Sequence, residues 1–502
     1  MIDTKALRQK ILDMAIRGKL VPQDPNDEPA SVLLERIRAE KQQLIKEDKN
    51  KKDKNDSVIF KGDDNRYYEK VGSEVKDITD EIDLECPRNW TFVRLRDLIE
   101  LISGRDLLPT QYNSDKIGIP YITGASNLLN ERIIINRWTD TPSVVSHKGD
   151  LLITCKGTIG EMVFNNIGDI HIARQIMSIR CIGANSLFIM LVLKYYVSQL
   201  QSGAKSFIPG ISRDDILKLS FIMPPLAEQT RIVNRVEELF EQVDIIEQNQ
   251  ADIDTLYDEF RKRTLTLAIQ GKLVPQDPND EPASVLLERI RAEKKAKLGK
   301  KYVDSYIYKG DDNCYYEKIK DSVKEISAEI PFDIPESWRW IRIDNLFQHN
   351  TGKALNSSNT QGILHPYITT SNVYWGYFNL ECIKKMFFTE DEFAKCSIVP
   401  GDLLVCEGGD VGRAAIWEND ISMCIQNHIH RLRAYYPVCT QFYYFAFFVY
   451  KSIGLIGGKG IGIQGVSSGA LGKLIFSLPP LGEQERIVKQ VEIILENLKD
   501  EG

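Results

Sequence analysis

Residues 18 to 41 read GKLVPQDPNDEPASVLLERIRAEK, and residues 271 to 294 repeat them letter for letter in a chain of 502. The second copy starts close to the midpoint, so the chain is a duplication and each segment is read against its counterpart. Weaker echoes run outward from both copies and have drifted by unequal amounts. Residues 62 to 70, GDDNRYYEK, return as 310 to 318 with Cys314 in place of Arg66, and read as an ordered turn. Pro120-Tyr121-Ile122-Thr123 answers Pro366-Tyr367-Ile368-Thr369, and Gly149-Asp150-Leu151-Leu152 answers Gly401-Asp402-Leu403-Leu404. The scaffold is shared while its decoration has diverged.

Just before the repeat, TKALRQKILDMAIR sets Leu7, Ile11 and Met14 at four-and-three spacing, a helix that stops at Gly18. The loop VPQDPNDEP cannot be helical, and a second helix then runs from Ala30 to about Lys46 on Val32, Leu33, Ile37 and Leu44. The charge run from Lys46 to Asp56 reads as the solvated end of that helix or a linker. Trp90, matched by Trp338 and Trp340, opens a globular domain with a strand.

Each globular domain closes on Pro-Pro-Leu, in MPPLAEQ at 223 to 229 and LPPLGEQ at 478 to 484. There a helix begins, with proline tolerated in its first turn and glutamate placed against its dipole. In the first copy Ile232, Val236, Leu239, Val243, Ile246, Gln250, Ile253, Tyr257, Phe260, Thr264 and Leu267 step by four and three. This is a coiled-coil seam about 54 Å long. The second copy keeps the spacing through Ile487, Val491, Ile494 and Leu498, and then the sequence stops. Leu7, Ile11 and Met14 occupy the places of Phe260, Thr264 and Leu267 under the repeat, so the two terminal helices together rebuild the long one.

The expected fold is α+β: two globular mixed α/β domains related by pseudo-two-fold symmetry and separated by long antiparallel coiled-coil helices. The expected boundaries are 1–60 for an N-terminal helical region, 61–222 for the first globular domain and 223–300 for central helices. The second globular domain takes 301–477 and a C-terminal helix 478–502. Pairing of the terminal helices with another molecule fits the same pattern.

A glycine turn follows each GDLL strand, Lys156-Gly157-Thr158-Ile159-Gly160 and Gly408-Gly409-Asp410-Val411-Gly412. Such turns let backbone amides approach a phosphate or a groove, and they also suit a plain hairpin. Arg174-Gln175 and Gln426-Asn427-His428 then stand at matching positions; glutamine and asparagine pair with adenine edges, and arginine with guanine or phosphate. The candidates for DNA contact are Lys156, Gly157, Thr158, Arg174, Gln175 and Lys205 in the first domain. In the second they are Gly409, Arg413, Gln426, Asn427, His428 and Lys459. The candidates for the spacer helices are Leu7, Ile11, Met14, Ile232, Val236, Leu239, Val243, Ile246, Ile253, Phe260, Ile487 and Val491, and partner docking on them is implied only by the resemblance given below.

Composition excludes several classes. Hydrophobic content of 43% is ordinary for a globular protein, no run of 18 apolar residues exists, and the N-terminal pattern is not a signal peptide. A cytoplasmic location without membrane contact is expected. Nine cysteines without a CxxC pair point to reduced thiols, and no metal site is expected. A net charge of −7 argues against a freely acting basic DNA binder, yet residues 88–224 carry 15 Lys and Arg against 11 Asp and Glu, and residues 336–479 carry 12 against 11. Two near-neutral or basic blocks therefore sit between acidic helices, which suits DNA contact by the blocks and protein contact by the rest.

With the GKLVPQ repeat, the two GDLL-plus-glycine-turn domains and the two PPLxEQxRIV helices, the chain resembles the specificity subunit of type I restriction-modification enzymes over nearly all its length. The resemblance implies two target-recognition domains that each read one half of a split site on double-stranded DNA. It also implies helices that space them and dock two methyltransferase subunits, and a place beside restriction/translocase subunits. It implies no catalysis and no cofactor on this chain, with S-adenosylmethionine, ATP and Mg on the partners of an adenine methyltransferase and ATP-dependent endonuclease. Fittingly, the sequence has no Asn-Pro-Pro-Tyr/Phe and no complete phosphate loop. A helical assembly scaffold that reads no DNA is the alternative, separated by a DNA-binding assay.

Overall fold

The structure is a computed structural model that describes residues 1–47, 57–79, 86–129, 132–203, 210–356, 358, 360–457 and 467–500. It divides into two compact units, 1–250 and 251–502, each with its own core.

In the first unit, helix α1 (Thr4–Ile16) is capped by Asp3, whose carboxylate accepts from the Ala6 amide at 2.9 Å. It ends at Gly18, whose φ is +68° and where a Cβ would sit 3.0 Å from both Pro87 and Trp90; Gly271 has the same φ, with Pro335 at 2.5 Å and Trp338 at 2.9 Å. The first residue of the repeated stretch is thus glycine in both copies because the chain turns left-handed beneath a tryptophan. Helix α2 (Ala30–Glu47) follows and buries Leu33, Leu34 and Ile37, while Val32 faces solvent.

A three-stranded antiparallel meander comes next: β1 (Ser57–Lys61), β2 (Tyr67–Val71) and β3 (Glu74–Asp77). The GDDN segment is the β1–β2 turn, with Asn65 at φ +64°. The boundary expected at 60/61 therefore cuts a hydrogen-bonded hairpin, and those at 222/223 and 477/478 fall inside the strands Ser220–Met223 and Ile475–Leu478. These two strands close the globular parts by pairing with Thr91–Arg94 and Arg339–Arg342, a long-range ladder that local sequence does not advertise.

Two four-stranded sheets form the body of the first unit. One orders Met162–Phe164, Leu151–Thr154, Ile176–Cys181 and Ile99–Ser103, all antiparallel; the other orders Val145–Ser146, Ile170–Ile172, Ile119–Ile122 and Trp138–Thr139, with its two central strands parallel. The GDLL strand is buried along both faces. Side chains alternate across a strand, so Leu151 and Ile153 enter a core with Phe188 and Val192 of helix Ser186–Gly203, while Leu152 enters a second core with Ile122, Ile170 and Ile172. The second unit repeats this, with Leu403 and Val405 in one core and Leu404 and Cys406 in the other.

Helix Leu226–Ile269 is 44 residues long, and helix Leu481–Asp500 is its shorter counterpart. Within the first unit α1 lies antiparallel to the start of the long helix, since Arg8 pairs with Asp244 and Glu247 while Gln250 donates to the Ile2 carbonyl. The expected uninterrupted seam needs correction. Ile232, Val236 and Val243 are buried and Leu239 and Ile246 half-buried, but Ile253 is 60% exposed and Phe260 47%. Cover returns at Thr264, and Leu265, Ala268 and Ile269 share a core with Ile487 and Val491. On α1 the buried residues are Ile11, Leu12, Ala15 and Ile16, with Leu7 and Met14 half-buried; helix Ser186–Gly203 also packs on α1, so the buried stripe turns away from Met14. Spacing identified a helix with an apolar stripe but could not say which stretch is covered.

Candidate nucleic-acid interface

In each unit a parallel strand pair sends two loops out side by side at its C-terminal end. Crevices at such strand ends are a usual place for ligands in open sheets. In the first unit Ile122 and Ile172 are register partners, and the Ala173 amide donates to the Ile122 carbonyl at 2.9 Å, setting Thr123–Ser126 beside Ala173–Gln175. The glycine turn joins them because the Cys155 amide donates to the Gln175 carbonyl at 2.8 Å. Lys156, Gly157, Thr158, Arg174 and Gln175 are all exposed and come together here. Arg174 is held by Asp106, which accepts from its Nε at 2.8 Å and its amide at 3.1 Å. Lys205 lies outside the described residues.

The turns have the same geometry in both units. Gly157 and Gly160 have φ of +78° and +88°, Gly409 and Gly412 +74° and +85°. A Cβ at Gly160 would lie 2.5 Å from Val197, and one at Gly412 the same distance from Ile456. The second glycine is therefore fixed by packing under the turn, which leaves Gly157 and Gly409 as the positions open to a ligand.

In the second unit the Gln426 amide donates to the Ile368 carbonyl at 3.0 Å, the Asn427 amide to the Lys353 carbonyl at 3.0 Å, and the Glu407 amide to the His428 carbonyl at 2.9 Å. Gln426 and Asn427 are half-buried and His428 exposed, 3.6 Å from the Glu407 carboxylate. Arg413 is turned inward: Nη2 donates to the Thr370 carbonyl at 2.6 Å and the guanidinium sits 5.5 Å from the Tyr374 ring centre. It fastens the glycine turn to the neighbouring loop. Lys459 lies outside the described residues. Where the first turn carries Lys156 and Thr158, the second carries Gly408 and Asp410, with Glu407 in place of Cys155. The first offers a phosphate a cation; in the second the Asp410 carboxylate is taken up by Lys451 at 3.1 Å and the Trp375 indole at 3.3 Å.

Sequence reasoning missed Asn127 and Asn372, which shape the loops after Ile122 and Ile368. Asn127 is fully buried; its Oδ1 accepts from the Thr123 amide at 3.0 Å and hydroxyl at 2.9 Å, and its Nδ2 donates to the Ile134 carbonyl at 2.8 Å. Asn372 does the same for Thr369, at 2.9 and 2.6 Å, and donates to the Asn379 carbonyl at 3.0 Å. The signal was present, since YIT recurs with an asparagine a few residues on in both halves.

Comparison with known proteins finds relatives over most of the chain. The specificity subunit of the Escherichia coli type I restriction enzyme EcoAI is 27% identical over 98% of this chain and 89% of its own length. That of EcoEI, also from E. coli, is 26% identical over 82% of this chain and 74% of its own. A solved structure, described as the structural basis of complex assembly and conformational transition of the type I R-M system, superposes with a TM-score of 0.55. It is 19% identical, and covers 83% of this chain and 92% of that one. The model of the type I restriction modification DNA specificity domain matches twice, at residues 87–255 and 335–500, and the chain belongs to that family.

Proposed function

We propose that the two units read the two halves of an asymmetric, bipartite double-stranded DNA target, one unit per half-site, as the non-catalytic subunit of a complex with two methyltransferase subunits and restriction subunits. S-adenosylmethionine, ATP and Mg belong on those partners. One observation carries the reading: the same loops stand on the same strands in both units, with Lys156, Thr158, Arg174 and Gln175 in one and Glu407, Asp410, Gln426, Asn427 and His428 in the other. Two identical half-sites need two identical readers, and these loops carry different residues at the matching positions.

Exchange of residues 90–222 for those of another family member tests it. The adenines methylated by the assembled enzyme should change in one half-site only; a change in both refutes one-unit-one-half reading. The spacer reading has its own test. Half-site centres about one duplex turn, roughly 10 base pairs, apart are expected for partners approaching similar faces of DNA. Four residues inserted near Gln250 add about 6 Å of helix, so the unspecified gap should grow by about one or two base pairs with both half-sites unchanged. An active enzyme with an unaltered gap assigns the spacing to the partners.

A further inference from the structure

The strands Met162–Phe164 and Ala414–Ile416 are the outer strands of equivalent four-stranded sheets. In the first unit the Thr154 amide donates to the Glu161 carbonyl at 2.9 Å, and in the second the Cys406 amide donates to the Arg413 carbonyl at 2.8 Å. Bonded pairs alternate along an antiparallel ladder, so Met162 and Ala414 both turn their amide and carbonyl to the open edge. In the second unit that edge is taken by the hairpin of Val373–Tyr374 and Tyr377–Phe378. The Gly376 amide donates to the Ala414 carbonyl at 3.1 Å, and the Trp375 ring packs on Phe448 at 5.3 Å and on Tyr444 at 6.2 Å between ring centres.

The first unit has the same hairpin, Leu128–Leu129 with Arg132–Ile133. The two residues between its strands are Asn130 and Glu131, where the second unit has Trp375 and Gly376. Asn130 and Glu131 lie outside the described residues, and neither residue type offers a ring. The rings beneath are replaced as well. The Asn185 and Cys439 amides donate to Gln229 and Gln484 at 2.9 and 3.0 Å, which aligns helix Ser186–Gly203 with helix Thr440–Ser452 and sets Met190 at the place of Tyr444 and Lys194 at that of Phe448. What remains in the first unit is a groove of about 900 Å³ bounded by strand Met162–Phe164, helix Ser186–Gly203, α1 and the start of the long helix, with Met162, Phe164, Met190, Val236 and Phe240 on its walls. Among the described residues nothing hydrogen-bonds to the outward Met162 carbonyl.

An unused strand edge beside an apolar groove suits an extended segment, because the edge supplies backbone hydrogen bonds and the groove receives a side chain. Charge restricts the segment further. Arg8, 5.1 Å from the Phe240 ring centre, spends its guanidinium on Asp244 and Glu247. Glu237 and Glu241 stand exposed on the same wall, with no ion pair among the described residues. They favour a base beside the ring and repel a phosphate backbone.

We propose that this groove is a docking site for a segment of another protein chain that adds to the edge of Met162–Phe164, inserts an aromatic ring, tryptophan above all, beside Met190, and sets a lysine or arginine against Glu237 and Glu241. The second unit carries the form of the occupant in its own Trp375 hairpin. The chain thus has one site filled from within and one left open.

The test titrates the full chain with a fluorescein-labelled peptide copying residues 371–380, SNVYWGYFNL, with a lysine added at each end, binding being read by anisotropy. One peptide per chain should bind and saturate. The peptide with alanine in place of its tryptophan, and the peptide with glutamates in place of the two added lysines, should each bind about tenfold or more weakly. Met190→Trp fills the groove from inside and should weaken the parent peptide by a similar factor of about ten. Leu187→Glu, at a half-buried position of the same groove, should do the same, and the altered peptides carry the test on the unaltered chain. Absence of saturation up to about 1 mM peptide overturns the proposal, as does an alanine or glutamate peptide that binds as well as the parent peptide. Competition by free N-acetyltryptophanamide as strong as that of the whole peptide overturns the segment and reassigns the groove to a small aromatic ligand.

Discussion

Trp90 donates its indole N–H to the Glu228 carboxylate at 3.0 Å, tying the residue that opens the first globular part to the first turn of the long helix. The second unit repeats the bond from Trp338 to Glu483 at 2.8 Å. Glu228 is almost fully buried and its other oxygen has no partner among the described residues. Burial pushes its carboxyl above the ordinary 4.5, against the opposing indole bond and Arg231.

A raised folded pKa means that Glu228 contributes stability below the ordinary glutamate range and loses it as pH rises through the folded value. Glu228→Gln keeps an oxygen for Trp90 and carries no charge. Its stability relative to the parent should therefore increase as pH rises above the ordinary 4.5 of a glutamate, read as the shift in urea midpoint at each pH. Trp90→Phe leaves the carboxylate without its donor and should cost about 1–3 kcal/mol at neutral pH.

Glu69 behaves in the opposite sense. Burial alone raises its carboxyl, but hydrogen bonds from Arg94 and Ser57 and the charges of Arg94 and Arg96 outweigh that and bring it down to about 2. Its contribution is present above 4.5 and disappears as pH falls through about 2, and should be on the order of 3 kcal/mol. Glu69→Ala strands two arginines and should destabilise the first unit by about 3 kcal/mol at pH 7. The deficit should shrink steadily in denaturation curves taken towards pH 2.

Gly18→Ala and Gly271→Ala should each destabilise their own unit by more than about 1 kcal/mol, because alanine meets both a left-handed backbone and a tryptophan ring. The tighter contacts at Gly271 predict the larger loss. Tryptophan fluorescence during urea unfolding measures both.

Lys156 and Arg413 should separate in DNA-binding experiments on the assembled complex. Lys156 is exposed on the turn, so Lys156→Ala should weaken binding alike on all sequences and lower the salt slope by about one charge. Arg413 spends its guanidinium on Thr370 and Tyr374. Arg413→Ala should leave the salt slope unchanged and alter recognition of one half-site.

Internal comparison made the duplication, the helix starts at Pro-Pro-Leu and the glycine turns legible, because each depends on local chemistry present twice. What stayed hidden depends on distance along the chain. Nothing near Thr91 announces a ladder with Met223, and nothing in the spacing of Ile253 and Phe260 tells that they face solvent while Ile232 does not. Among the candidate residues, Arg174 and Gln175 stand out in the sequence because their type and register both point to bases. Asn127 was passed over because a buried asparagine looks like any other until its partners are placed.

The central strands Leu151–Thr154 and Leu403–Cys406 are sealed on both faces. The exposed residues at their mouths, such as Lys156, Thr158 and His428, therefore add almost nothing to the interior, and replacing them leaves it intact. A lineage can change its loops one at a time without passing through an unfolded ancestor. On the reading proposed above, with one unit per half-site, two such mouths in one chain can be altered independently, and the number of reachable specificities then grows as the product of the two sets rather than their sum.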